Sequence, residues 1–211
     1  MTKHDALIAQ LCSEMQPVKR PAAPWLRAAL WMLVALPCGF IASLAIHRHG
    51  SDWSNPGALW AGLAIFVSFC LGTVAIATAF TLSIAGRRLT HRHWRSLTAL
   101  SVAWLMVNLI DVTFSSEPWG DFGDGIYCYT FMMLAGLPMM ALMIAALRRT
   151  RSLHPGPSLA IAGLGIASMT QILLGFCHPV AGDVMDLIMH LAAAATLVAV
   201  CVLAGRRWIA L

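Results

Sequence analysis

Charge is scarce in this sequence. Only 11% of its 211 residues are Asp, Glu, Lys or Arg, against roughly 25% in a soluble domain. With 59% hydrophobic residues and a mean hydropathy of +0.76, the chain cannot clothe a globular core in a water-facing surface, which excludes a soluble enzyme domain. Chemical motifs are missing too. The sequence has no Cys-x-x-Cys pair, phosphate-binding glycine loop, zinc-protease spacing or nucleophile arrangement, so the chain reads as no enzyme and calls for no cofactor. Of eight histidines, only His190 lies clearly within an apolar run, whereas a haem clamped between helices needs two facing ones.

The sequence instead offers long apolar runs. Six stretches, at approximately residues 26–46, 57–85, 97–116, 126–147, 159–176 and 184–204, supply the about 20 residues a helix needs to cross a bilayer, the second being long enough to begin in the headgroups. Uninterrupted apolarity over that length rules out the short alternating strands of a barrel. The expectation is an all-α integral membrane protein: a six-transmembrane-helix bundle at 25–211 behind a tail at 1–24. The first span follows about two dozen largely polar residues and is too long for a signal-peptide core, so it reads as an uncleaved anchor.

Basic residues orient the bundle, because Lys and Arg collect in cytoplasmic segments. Lys3, Lys19, Arg20 and Arg27 precede the first span, Arg87, Arg88, Arg92 and Arg95 follow the second, Arg148, Arg149 and Arg151 follow the fourth, and Arg206 and Arg207 follow the sixth. Only Arg48 falls on the other side, where Asp52, Glu117, Asp121, Asp124 and Asp183 gather. Both termini are therefore expected in the cytoplasm. The net charge of +5 is accounted for by this topology and by anionic headgroups, so no direct nucleic-acid partner is expected; the lipids themselves are partners.

In the tail, Leu7, Ile8, Leu11 and Met15 recur at the spacing of a short amphipathic helix. Asp5 suits the positive end of its dipole, and Pro17 ends it ahead of a basic, proline-punctuated linker. Such a helix either docks on a partner protein or lies on the membrane surface. Pro37 with Gly39, and Gly136 with Pro138, put kink signals in the first and fourth spans. That matches the three-plus-three inverted repeat of small transporters, whose broken helices meet at a midplane site. However, no Lys, Arg, Asp or Glu lies near the centre of any span, which favours kinked packing helices. Small-residue spacings at Gly163 to Ala167 and Ala75 to Ala79 signal close helix contacts.

Six cysteines are present. Cys12 is in the tail, Cys38, Cys70 and Cys201 sit in apolar runs, and Cys128 and Cys177 fall at the outer ends of the fourth and fifth spans. In an oxidising compartment the last two would be paired, metal-bound or reactive, or simply interfacial thiols without a partner. His178 and His190 are weak candidates for further metal ligands. Asp111 and Asp186, near outer span ends, read equally as functional carboxylates and as wet helix ends, with Asn108 and Gln171 deeper.

Several pieces occur in a telling order: Asp5-Ala6-Leu7-Ile8 with Leu11; Pro17-Val18-Lys19-Arg20 before the first span; Ser83-Ile84-Ala85-Gly86-Arg87-Arg88 closing the second; Cys128, then Leu137-Pro138, in the fourth; and Cys177 with Pro179 before the sixth. In this order and layout the chain resembles the NrsF family of membrane anti-sigma factors over nearly its whole length. Ala85, where a proline is expected, and the intervening His178 depart from the family pattern. The resemblance implies a protein of the bacterial inner membrane that tethers an extracytoplasmic-function sigma factor, keeps it from RNA polymerase and releases it on an outside signal. It further implies that Asp5, Leu7, Ile8, Leu11, Pro17 and Val18 contact the sigma factor, and that Cys128 and Cys177 sense oxidising conditions or heavy metals.

Overall fold

A computed structural model describes residues 3–14, 21–46, 51, 53–54, 57–114, 119–120, 122–150, 155–177, 180 and 182–209. Among these, seven α-helices and no strands are present: α1 (Lys3–Glu14), α2 (Pro24–Ser43), α3 (Ala58–Leu82), α4 (His91–Phe114), α5 (Phe122–Arg148), α6 (Pro155–Gly175) and α7 (Val184–Ile209). The six from α2 to α7 are long and apolar enough to cross a membrane, as the runs in the sequence predict.

Four of the helices start or stop four or more residues from where hydropathy places them. α4 begins at His91 rather than near 97, α5 at Phe122 rather than 126, and α6 at Pro155 rather than 159, while α7 runs on to Ile209. Polar residues continue each helix past the apolar stretch. The segment read as an irregular connector, up to Ser158, ends in the first turn of α6, where Pro155 and Pro157 cost no hydrogen bond because first-turn amides have no intrahelical acceptor. α7 is opened by Asp183, whose side chain accepts from the Asp186 backbone N–H at 2.8 Å.

α6 is the centre of the bundle and α3 its main partner. Their backbones meet at glycines: a Cβ on Gly72 would reach the Gly165 carbonyl oxygen at 3.3 Å, and one on Gly165 the Ile76 nitrogen at 3.2 Å. Ala75 and Ala79, one half of the predicted small-residue pattern, are fully buried in the same helix. On its other side α6 carries Gly163, where a Cβ would lie 2.7 Å from Val198 Cα of α7. Between helices in lipid, such close approach replaces the hydrophobic drive available in water.

α5 packs against α7 and α2. Pro37 and Pro138 lie inside continuous helices, so the kink signals mark no break. The two proline helices touch where a Cβ on Gly39 would meet Met139 Sδ at 2.8 Å and the Ala135 oxygen at 3.2 Å. α4 is the outlier, packed against α3 and otherwise largely uncovered. Trp25, Trp53, Trp94, Trp119 and Trp208 are all exposed, as belt residues should be.

Candidate functional site at the two ends of α5

The two ends of the bundle differ in charge. One carries the helix ends with Arg87, Arg88, Arg148, Arg206 and Arg207, and the other Asp111, Asp124, Asp183 and Asp186. We call them the basic and the acidic end.

At the acidic end, Cys128 lies in the second turn of α5 and is fully buried. Its thiol donates to Oδ1 of Asp186 on α7 at 3.3 Å. Asp186 is only 3% exposed, which departs from a wet helix end; the cause is the packing of α5 on α7. That packing is tight because Gly125 has no side chain: a Cβ there would come within 2.8 Å of Met185 and 2.9 Å of Met189. Cys177 follows α6 and is buried, its N–H bonded to the Leu174 carbonyl at 2.7 Å. All six cysteines are free thiols.

His190 lines a mostly apolar cavity beside α4 with Asp111, Asp183 and Asp186, yet among the described residues no three His, Cys, Asp or Glu side chains converge as metal ligands. His178 and Pro179 lie outside the described residues. Asp111 takes a structural contact, its Oδ2 accepting from the Gly182 N–H at 3.2 Å, and so ties the end of α4 to the connection before α7. Gly120 is at φ +62°, and a Cβ there would collide with the carboxylate of Asp183.

At the basic end a side chain the sequence treats as one topology charge among many proves to be a clamp. Arg27, in the first turn of α2, donates from Nη1 to Ser83 Oγ at 3.2 Å, and from Nη2 to the Ala146 carbonyl and Thr150 Oγ1, both at 3.3 Å. Its guanidinium lies 4.4 Å from the centre of the Phe80 ring, a cation–π distance. Thr150 Oγ1 also donates to Ser83 Oγ at 3.0 Å. One residue thus joins the helix leading out of the tail to the ends of α3 and α5. Its partners are 56 to 123 positions away, so only their order next to Ser83, within the motif closing the second span, hinted at it.

The tail itself is helical. α1 presents Leu7, Ile8 and Leu11 at 54%, 58% and 56% exposure, carries Asp5 in its first turn, and forms no packing interface with any other helix. Pro17 and Val18 lie outside the described residues.

α5 connects the two ends. From Cys128 to Ala146 it rises roughly 27 Å at 1.5 Å per residue, with Cys128 bonded to α7 at one end and Ala146 to Arg27 at the other. No curated protein and no solved structure matches the chain. A family model does, over residues 11–210, described as negative regulator of sigma F. That family is one of sigma-factor regulators, not of enzymes, and this membrane protein belongs to it: the chain is a member of the NrsF family.

Proposed function

We propose that this chain is an anti-sigma factor of the bacterial inner membrane, with both termini in the cytoplasm, that holds an extracytoplasmic-function sigma factor through its tail and releases it on an oxidative or heavy-metal signal at Cys128 and Cys177. The observation that carries the proposal is the unpartnered apolar stripe of α1. Leu7, Ile8 and Leu11 are exposed on a helix that no other element covers, and an amphipathic helix of that kind fits a groove on a partner protein. Asp5 supplies orientation at its start, and Pro17 and Val18 extend the contact toward the linker.

The sensing half rests on the Cys128 thiol. Its S–H is a hydrogen-bond donor to a buried carboxylate, so any chemistry that removes that proton also removes the bond between α5 and α7. Capture of a soft metal ion by the sulfur does this directly. Disulfide formation with Cys177 does it by giving two electrons and two protons to an external oxidant, once the Cα atoms stand within about 7 Å. A shift at this end of α5 reaches the Arg27 clamp at the other, and with it the start of the helix that carries the tail. The signal acts only through its differential affinity for the two packings.

The test is binding of purified protein to candidate sigma factors of its own organism, beside a version lacking residues 1–24. Tail-dependent binding, relieved by oxidant or thiophilic metal in the wild type but not in Cys128→Ser or Cys177→Ser, is the expected outcome. Absence of binding to every candidate by folded, full-length protein would overturn the reading. The rival reading, a small transporter, predicts substrate flux in proteoliposomes that survives loss of the tail; the unbroken α2 and α5 disfavour it.

A further inference from the structure

α4 packs on α3 and has no comparable interface with any other helix. Between it and α3, α6 and α7 lies a cavity of about 250 Å³ whose wall includes Leu71, Leu105, Leu164, Leu191 and Ala194, with no charged side chain among the described residues. Trp104 and Gln171 complete the wall on the α4 and α6 sides. Both also line the smaller cavity at the acidic end, so they stand together where the two cavities meet. Trp104 is about ten residues, or roughly 15 Å, from Phe114 at the end of α4, well inside the apolar stretch of that helix.

These two side chains bring hydrogen-bond donors that nothing uses. Trp104 is 8% exposed, and its indole N–H has no acceptor among the described residues; the side-chain bond that reaches this residue, from Asn108 Nδ2 at 2.7 Å, ends on its backbone carbonyl. Gln171 Oε1 accepts from Ser68 Oγ at 3.4 Å, which turns the amide oxygen toward α3 and leaves Nε2 without an acceptor among the described residues. Unmet donors are costly where lipid replaces water, and in a cavity wall they mark where a ligand's acceptor belongs.

We propose that this cavity binds the ring of an isoprenoid quinone, one ring carbonyl accepting from Trp104 Nε1 and Gln171 Nε2. A carbonyl oxygen has two lone pairs, one for each donor. With no charge in the wall to match an ionic head, the ligand is neutral, and an acceptor at this depth belongs to a compound that dissolves whole in the bilayer, not to a phospholipid ester held at the headgroups. An apolar cavity of about 150 Å³ takes benzene, so this one has room for a substituted ring. A flat ring also suits the face of the indole. The tail leaves beside α4, along the side that no neighbouring helix covers. This inference is independent of the sigma-factor reading.

Full-length protein in phosphatidylcholine nanodiscs, titrated with radiolabelled decylubiquinone, should show one saturable site above the partitioning into empty discs. Decylbenzene, with the same tail on a ring that has no carbonyl, should show none. Infrared difference spectra should place a carbonyl stretch of the bound quinone below its value in empty discs, as a hydrogen-bonded oxygen requires. Trp104→Phe keeps an aromatic wall and removes the N–H, and Gln171→Leu removes the amide. Each should weaken binding about fivefold, the worth of one hydrogen bond, and return the carbonyl stretch toward its value in lipid. Thermal unfolding identifies a variant that has lost its fold, and the other variant then decides. No saturable component, equal saturation by decylbenzene, an unshifted carbonyl in the wild type, or wild-type affinity in the folded variants would overturn the proposal.

Discussion

At the scale of single residues, two polar contacts at opposite ends of α5 carry most of the consequences. Cys128→Ser keeps a donor for Asp186, and its unfolding midpoint in detergent should stay near that of the wild type. Cys128→Ala removes the thiol donor from a carboxylate that is 3% exposed and should cost about 0.5–1.5 kcal/mol, read as a lower midpoint. Equal midpoints for the two variants would mean that the thiol bond adds nothing to α5–α7 packing. At the basic end, Arg27→Met and Arg27→Lys should both lower stability. A lysine has one compact ammonium and cannot serve three acceptors while stacking on Phe80, so a lysine variant as stable as the wild type would rule out the fork geometry. Neither contact was legible in the sequence. Cys128 stands out in the sequence for its place at an outer span end, but nothing local announces Asp186, 58 residues away. Arg27 reads as a topology signal because an arginine beside a span is most often that.

At the scale of elements, helix identity was legible and helix ends were not. Hydropathy reports where the bilayer would be, whereas the backbone continues through polar turns such as His91 to Leu97 in α4 and Arg206 to Ile209 in α7. The glycine pattern was half legible. Gly163 to Ala167 pointed correctly to α6, but which neighbour each face meets depends on the rotation of the helix. Gly163→Leu would drive a side chain into Val198 Cα, 2.7 Å from where its Cβ would sit, and should destabilise by about 1–3 kcal/mol, measured by thermal unfolding. The tail is the converse case, an element whose stability no other helix supports. Leu7→Asp with Leu11→Asp should abolish sigma-factor binding in a pull-down and leave the unfolding midpoint of the bundle unchanged; a lowered midpoint would show instead that α1 docks on its own bundle.

At the scale of the whole molecule, the arrangement holds part of a three-plus-three pattern. α2 meets α5 and α3 meets α6, as paired halves would, but the α5–α7 interface has no equal between α2 and α4. The asymmetry frees α4 and leaves the cavity beside it, and it gives α5 its two-ended contacts. The charge asymmetry predicts the orientation across the membrane: a reporter active only after export should remain silent when fused after Arg88 and become active when fused after Gly120. The reverse would put the tail, and the whole sigma-factor reading, on the wrong side of the membrane.

The sequence by itself determined the all-α class and the six long apolar helices. Backbone polar groups in lipid have to be satisfied within each segment, so a run of about 20 apolar residues leaves helix as its only form. It also determined family membership, through motifs whose order is a one-dimensional property. Only the tertiary structure decided which polar side chains meet. The Arg27 clamp, the Cys128–Asp186 bond and the cavity beside α4 join residues distant in the chain, and each depends on the rotation and depth of helices that present apolar residues around much of their circumference. With lipid as apolar as the core, hydrophobic periodicity no longer says which face turns inward; glycine contacts and the few polar partners do.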